Sequence, residues 1–353
     1  MRIAVFCYPS DPPSWSPQSL STGIGGSEEA VIHVARLLAA RGHEVTVVNA
    51  LSGPTRRFAG VEWASYEKSR KHAHVGIVWR RPRLLKWVGN SAAGRLYLWL
   101  HDLLPEADVL THLNRFEKVM VLSRFHRNRY PAVPDEKVFI TANGIVPEDS
   151  VVDIERDPLL MVYGSCYTRG LRTVLNNWRL IRDAVPGVLL DVFYGWQTLQ
   201  KNNPNRYERL RPVLEPLLRQ EGITHLGRIG YAAVAREYAR AGLWAYPCSF
   251  PETSCISAMK AQVGGAVPVV IPTGALAETV RFGFKTMRSH TDFAGLSLPR
   301  RFIREWLDGL ISLLHEPARQ QAIRSAMIPE CRDRFAWARV VHSWESEFDS
   351  NLR

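Results

Sequence analysis

The sequence predicts an α/β protein of two domains, each a parallel sheet wrapped by helices. Three observations predict it. The chain has 353 residues, more than one hydrophobic core usually serves, and 46% of them are apolar, enough to fill two. Short apolar runs alternate with helical patterns nearly throughout. The alternation pauses at a polar, acidic linker, 147–158, and then restarts. No internal sequence repeat is visible, so the chain duplicates a fold type and is not a solenoid.

The elements follow in order. Arg2–Phe6 reads as a buried strand, and the segment 1–7 is too short and too lightly charged for a signal peptide. Residues 27–40 read as a helix with Ser27 as N-cap and Glu28 and Glu29 in the first turn, where the dipole favours negative charge. Val31, Val34, Ala35 and Leu38 share one face of it, and Gly42 closes it. Strands follow at 44–48, 75–79, 96–100, 118–122 and 138–141. The second set has strands at 159–163, 188–194, 224–226, 243–246 and 267–271. Its helices are 168–185, 231–241 and about 253–263, the first carrying a stripe of Leu171, Val174, Leu175, Trp178 and Ile181. In the tail, 336–348, Trp337, Val340, Val341, Trp344 and Phe348 recur at helical spacing. The expected domains are 1–150 and 158–330.

Composition excludes several classes. No run of 18 apolar residues exists, so nothing in the sequence reads as a membrane span. Five cysteines without metal-site or redox spacing read as reduced and structural, which suits a cytoplasmic protein. The net charge is +11, and ten Lys/Arg against Glu62 and Glu67 crowd the segment 56–95. That excess suits an anionic partner such as a phosphate-bearing substrate or acidic lipid, and a solvated arginine-rich face explains it equally well. Arg80, Arg81, Arg83 and Lys86 interleave there with Trp79, Leu84, Leu85 and Trp87, a composition suited to a membrane surface. Nucleic acid is not expected as a partner, because no helix-turn-helix, zinc finger or aromatic RNA-binding motif is present.

Three loops lie where α/β sheets bind ligands, beyond strand ends and against helix starts. Thr22-Gly23-Ile24-Gly25-Gly26-Ser27 offers glycines and helix-start amides to an oxyanion, yet is neither a Walker loop nor a dinucleotide fingerprint. Gly164 to Gly170 carries Arg169, able to bind a diphosphate bidentately. The stretch from Tyr246 to Cys255 places Glu252 just before a helix, with Thr253 or Ser254 as its cap. For each loop alone, turn, surface or capping chemistry is the default explanation.

In this order, the loops resemble the large retaining glycosyltransferase family with the GT-B fold, over nearly the whole chain. The resemblance rests on Gly25-Gly26-Ser27-Glu28, Arg41-Gly42-His43-Glu44-Val45, His101-Asp102, Ser123-Arg124-Phe125-His126 and Asn143-Gly144-Ile145. In the second half it rests on Gly164-Ser165, Arg169-Gly170-Leu171, Leu226-Gly227, Pro251-Glu252-Thr253, the 264–269 run and Gly274 to Thr279. It implies two Rossmann-like domains facing across a cleft, with the C-terminal helix, about 336–353, returning to the first domain.

The resemblance also implies a UDP- or GDP-linked sugar held mainly by the second domain and a glycan or lipid-linked acceptor held by the first. Phosphates would meet Gly25, Gly26, Gly164, Ser165 and Arg169, and the donor sugar would meet Glu252, Thr253 and Ser254. His101 would sit near the sugar as a third catalytic residue beside Arg169 and Glu252. Neither cofactor nor metal is implied, and the transfer would retain configuration without a covalent intermediate. Two positions depart from the family. Ser165 replaces an arginine, as in one branch reading Ser-x-x-Arg-Gly-Leu. Lys260 replaces the second glutamate of an acidic pair that normally accepts from the ribose hydroxyls, which a lysine cannot do. Lys260 therefore implies a different ribose contact, a shifted donor preference, or a donor-binding partner protein that has lost activity.

Overall fold

A computed structural model of the chain describes residues 1–8, 15–51, 53–68, 72–89, 92–150, 154–287 and 298–350. The chain forms two compact units. The first comprises Met1–Leu20, Ile24–Ile145 and Ala336–Arg353, and the second Ser21–Gly23 and Val146–Phe335.

The first unit is built on eight strands: β1 Arg2–Phe6, β2 Glu44–Val48, β3 Arg56–Phe58, β4 Val61–Ala64, β5 Ala73–Trp79, β6 Ala93–Trp99, β7 Lys118–Val121 and β8 Val138–Ile140. Their order is β3-β4-β2-β1-β5-β6-β7-β8. All neighbours are parallel except β3 with β4. From β1 the order runs outward both ways, so the switch point lies between β1 and β5. The helix Gly26–Ala40 buries Ala30, Val31, Val34, Ala35 and Leu38. The final helix, Trp337–Ser350, belongs to this unit. Trp344 meets Trp99 edge-on at 4.8 Å, Phe348 meets Tyr97 at 5.0 Å, and the Trp344 indole N–H donates to Thr141 Oγ1 over 2.6 Å.

The second unit has β9 Asp157–Gly164, β10 Leu189–Phe193, β11 Ile223–Gly227, β12 Ala241–Pro247, β13 Val267–Ile271 and β14 Phe284–Lys285. The order β11-β10-β9-β12-β13-β14 is entirely parallel, with its switch point between β9 and β12. Both units are thus Rossmann-like. All five thiols are free, and Cys7, Cys248, Cys255 and Cys331 are buried. Among the described residues no helix is long and apolar enough to cross a membrane.

Local structure departs from the sequence expectations at several points. Ser27 is not the N-cap: the helix starts at Gly26, Gly25 takes the cap position in an extended conformation, and no side chain caps it. Thr253 and Ser254 do not cap the next functional helix either, because it begins at Ile256 with Cys255 at the cap. An isolated parallel bridge from Glu252 to Gly274 keeps the chain extended up to that point. The expected helix 168–185 is a short turn, Tyr167–Arg169, and two helices, Leu171–Asn176 and Trp178–Ala184. Gly170 at φ 124° separates the turn from the first helix, and at the second break the Asn177 side-chain Nδ2 donates to the Thr173 carbonyl over 2.7 Å, competing with the ladder. The basic segment 56–95 is not one surface stretch, since β4, β5 and β6 run through it into the core. Strands β3, β4 and β14 and the helices Pro204–Leu217, Arg300–His315 and Pro317–Arg334 lay outside the sequence reading. The strands were too short to show alternation, and two of these helices carry internal prolines.

Candidate functional site

In the second unit, polar side chains gather where β9 and β12 end. Arg169 rides on the turn after β9, and Gly170 behind it adopts a backbone that side-chain-bearing residues avoid. A Cβ at Gly170 would also collide with the Pro247 carbonyl at the end of β12. This close approach brings Arg169 against the loop after β12. Its Nη1 donates to Glu252 Oε1 and Oε2, 2.9 and 3.1 Å away, and the guanidinium lies 4.2 Å from the centre of the Phe250 ring.

Glu252 is held from every side. Its carbonyl accepts from the Ala275 amide over 2.7 Å, and Gly274, at φ 63°, has no room for a Cβ against the Glu252 backbone. Its Oε1 accepts from the Tyr246 hydroxyl at 2.7 Å. Tyr246 spends its one proton there, so Ser165 Oγ, 3.1 Å away, donates to the phenol oxygen. Glu252, Ser165, Thr253 and Ser254 are all buried. Burial and the carboxylate push the Tyr246 phenol far up, so it stays a donor. Burial opposes the charge of Arg169, but the Glu252 carboxylate outweighs it and the guanidinium stays charged. The Gly164 carbonyl accepts from Ser257 Oγ at 2.9 Å, fastening the strand end to the helix Ile256–Gly264.

Lys260, on that helix, places its ammonium 4.5 Å from the Tyr231 ring centre. Beside the site, Tyr194 at the end of β10 is held at φ 126°, an unusual backbone for a non-glycine residue. Arg228 stacks on it at 5.3 Å and donates to Thr198 Oγ1 and to the carbonyl of Gly23.

In the first unit, the residues named from sequence for the site gather around Arg80, which the sequence assigns to the basic segment instead. Arg80, immediately after β5, takes φ 69° and donates from Nε and Nη2 to both Asp102 oxygens at 2.8 Å. Its Nη1 lies 3.5 Å from Glu28 in the first turn after Gly25 and Gly26, and its guanidinium lies 5.1 Å from the Trp79 ring centre. Arg80 thereby ties the glycine-rich helix start to the His101-Asp102 pair. The first helix bond runs from the Glu29 amide to the Gly25 carbonyl, which keeps the preceding amides out of the ladder. His101 is buried between Trp79 and Trp99. Burial, with Arg80 nearby, pushes its pKa down to about 3, and burial takes His126 down to about 4. Both rings are therefore neutral hydrogen-bonding groups at neutral pH. Burial favours protonation of Asp102, but its bonds to Arg80 prevail and keep it below the usual carboxylate range.

Of the sequence-named residues, Arg169 and Glu252 meet directly and Ser165 joins them through Tyr246. Arg80 links Glu28, in the first turn after Gly25 and Gly26, to Asp102 beside His101, and Lys260 pairs with Tyr231. Tyr246, Phe250, Arg80 and Asp102 were missed as participants. Tyr246 looked like one more apolar strand residue, and Arg80 like one more surface charge. Among the described residues no three His, Cys, Asp or Glu side chains gather as a metal site.

No family model matches the sequence, and no curated protein matches it. Solved structures do match. Sucrose-phosphate synthase from Thermosynechococcus elongatus aligns over 99% of both chains with a TM-score of 0.76 at 13% identity. Anabaena HepE, solved with UDP and glucose, aligns over 99% of this chain and 100% of its own, with a TM-score of 0.71 at 14% identity. AviGT4, a glycosyltransferase involved in avilamycin A biosynthesis, aligns over 99% and 97% with a TM-score of 0.61 at 14% identity. At such identities the likeness is one of fold, and the fold is GT-B.

Proposed function

We propose that the chain is a glycosyltransferase that moves a sugar from a UDP- or GDP-linked donor to a glycan or lipid-linked acceptor, with retention and without a metal. The observation that carries this is the Arg169–Glu252 pair, held by Tyr246 and Ser165 at the switch point of the second sheet. A fixed guanidinium beside a buried carboxylate suits a ligand that presents phosphate and hydroxyl groups side by side. The GT-B fold, and a neighbour solved with UDP and glucose, support the same reading.

In the proposed reaction the bond from the sugar C1 to the diphosphate oxygen breaks, and the acceptor hydroxyl oxygen bonds to C1 on the same face. The hydroxyl proton passes to the departing phosphate oxygen. Negative charge grows on that diphosphate, and Arg169 faces it with a charge that burial has not neutralised. Glu252, with Thr253 and Ser254, accepts from donor-sugar hydroxyls while Tyr246 keeps its carboxylate in place. His101, neutral, hydrogen-bonds without adding charge, and the first unit receives the acceptor.

The test is a thermal-shift panel with UDP, GDP, ADP, CMP and dTDP and their common sugars. A ligand at a hundred times its dissociation constant adds about 2.7 kcal/mol, a shift of several degrees. Stabilisation by one nucleotide family supports the reading and identifies the base, and Arg169→Ala should weaken that binding by at least about tenfold. No stabilisation by any of them overturns it.

Lys260 favours a second reading, a partner protein that binds donor without turning it over. Its cation lies on Tyr231 where the resemblance places a ribose-binding carboxylate. Nucleotide binding without turnover, and turnover gained in Lys260→Glu, would decide for it. Loss of turnover in that variant decides for an active enzyme tuned to lysine.

A further inference from the structure

The first unit carries a corner that the proposed chemistry does not use. After β5 the chain makes a short turn and helix, Pro82–Leu84 and Leu85–Val88. Leu84 and Val88 point into the core at 3% and 2% exposure, and Pro82 is buried with them. This leaves Arg83, Lys86 and Trp87 on the outer face, all exposed. Trp87 is 48% exposed, the only tryptophan among the large apolar side chains that stand out from the described surface. Lys86 lies 5.4 Å from its ring centre, and Tyr66, just past β4, packs beside it at 6.4 Å. Arg56 faces Trp63 across β3 and β4, so its exposed side chain stands at this same end of the sheet. Lys68 is exposed nearby and donates to the Gly53 carbonyl. Arg56, Lys68, Arg83 and Lys86, together with the carboxylate of Glu67, are thus exposed at the same strand end as Trp87 and Tyr66.

We infer that this corner docks the protein on an anionic lipid surface, with Trp87 entering the headgroup region and Arg83 and Lys86 meeting the phosphates. An indole with a polar edge and an apolar body suits a membrane interface, and an anionic leaflet attracts the cations beside it. A solvated basic face explains the charges but leaves the exposed tryptophan among them without a purpose. The corner lies at the carboxyl end of the strands, the end that also carries Tyr8, Arg80 and Arg81. A lipid-linked acceptor would therefore arrive beside the residues that receive it, and only this last step rests on the proposed function.

The experiment is co-sedimentation of the full chain with phosphatidylcholine vesicles, with or without roughly a third phosphatidylglycerol, at low and high salt. Binding should require the anionic lipid, fall with salt, and weaken at least about tenfold in Arg83→Glu/Lys86→Glu and severalfold in Trp87→Ser. Unchanged melting temperature and nucleotide-induced shift in the variants show that they fold and keep the donor site. No binding to anionic vesicles, or binding indifferent to both variants, overturns the inference. So does equal loss of random-DNA binding in the charge variant with no effect of Trp87→Ser on vesicles, which would mark a general polyanion surface. Vesicle binding fails or holds independently of the nucleotide shift, so the two proposals can fall separately.

Discussion

At the scale of single residues, Tyr246 is the side chain whose role is most sharply set by geometry. Its hydroxyl gives the buried Glu252 carboxylate a hydrogen bond that water cannot replace at 5% exposure of that residue. Tyr246→Phe should lower kcat by about ten- to a hundredfold, the worth of a bond to a charged group, while leaving the affinity for the nucleoside diphosphate nearly unchanged. Isothermal titration beside steady-state kinetics separates the two. The histidines give a pH prediction. His101 and His126 have pKa values of about 3 and about 4 in the fold, against about 6.5 in an unfolded chain. Between those limits the unfolded chain binds protons that the fold refuses. Stability is therefore intact above about pH 6.5 and lost as pH falls toward 4, by about 1.4 kcal/mol per unit for each fully responding histidine. Denaturant midpoints from pH 7 to pH 5 should fall accordingly, with a shallower slope in His126→Gln.

At the scale of elements, the loops after β9 and β12 work as a pair because a glycine lets them touch. Gly170→Ala adds a Cβ where the backbone is at φ 124° and the Pro247 carbonyl already stands. Relieving that clash must push the two loops apart, at a cost of about 2–3 kcal/mol or more. The separation should be read both as a lower melting temperature and as weaker nucleotide binding, since Arg169 precedes the glycine directly. A drop in stability with unchanged nucleotide affinity would show that Arg169 finds its place without this contact.

At the scale of the whole molecule, the last helix returns to the unit in which the chain began. It buries Trp337, Val341, Trp344 and Phe348, each contributing about 1.5–3 kcal/mol to the first unit. Truncation after Phe335 should therefore cost that unit most of its stability, while the second unit keeps its own sheet and its Arg169–Glu252 site. Calorimetry would resolve the two as separate transitions, and only the one belonging to the second unit should respond to the nucleoside diphosphate.

Much of this was legible in the sequence, because apolar periodicity and strand length are local properties. The parallel α/β character, the restart after residue 150, the helical tail and the loops bearing Arg169 and Glu252 all follow from residue order alone. The sequence could not determine which residues these loops meet. Tyr246 reads as an apolar strand residue until tertiary packing turns its hydroxyl onto a carboxylate six positions further on. Arg80 reads as one of ten surface cations until the end of β5 sets it between Glu28 and Asp102. Caps at Thr253 and Ser254 failed for the same reason: capping chemistry is local, but the backbone bridge from Glu252 to Gly274 overrides it from far along the chain. Sequence determines what each segment can form, and only packing decides which polar groups lose water and must find one another.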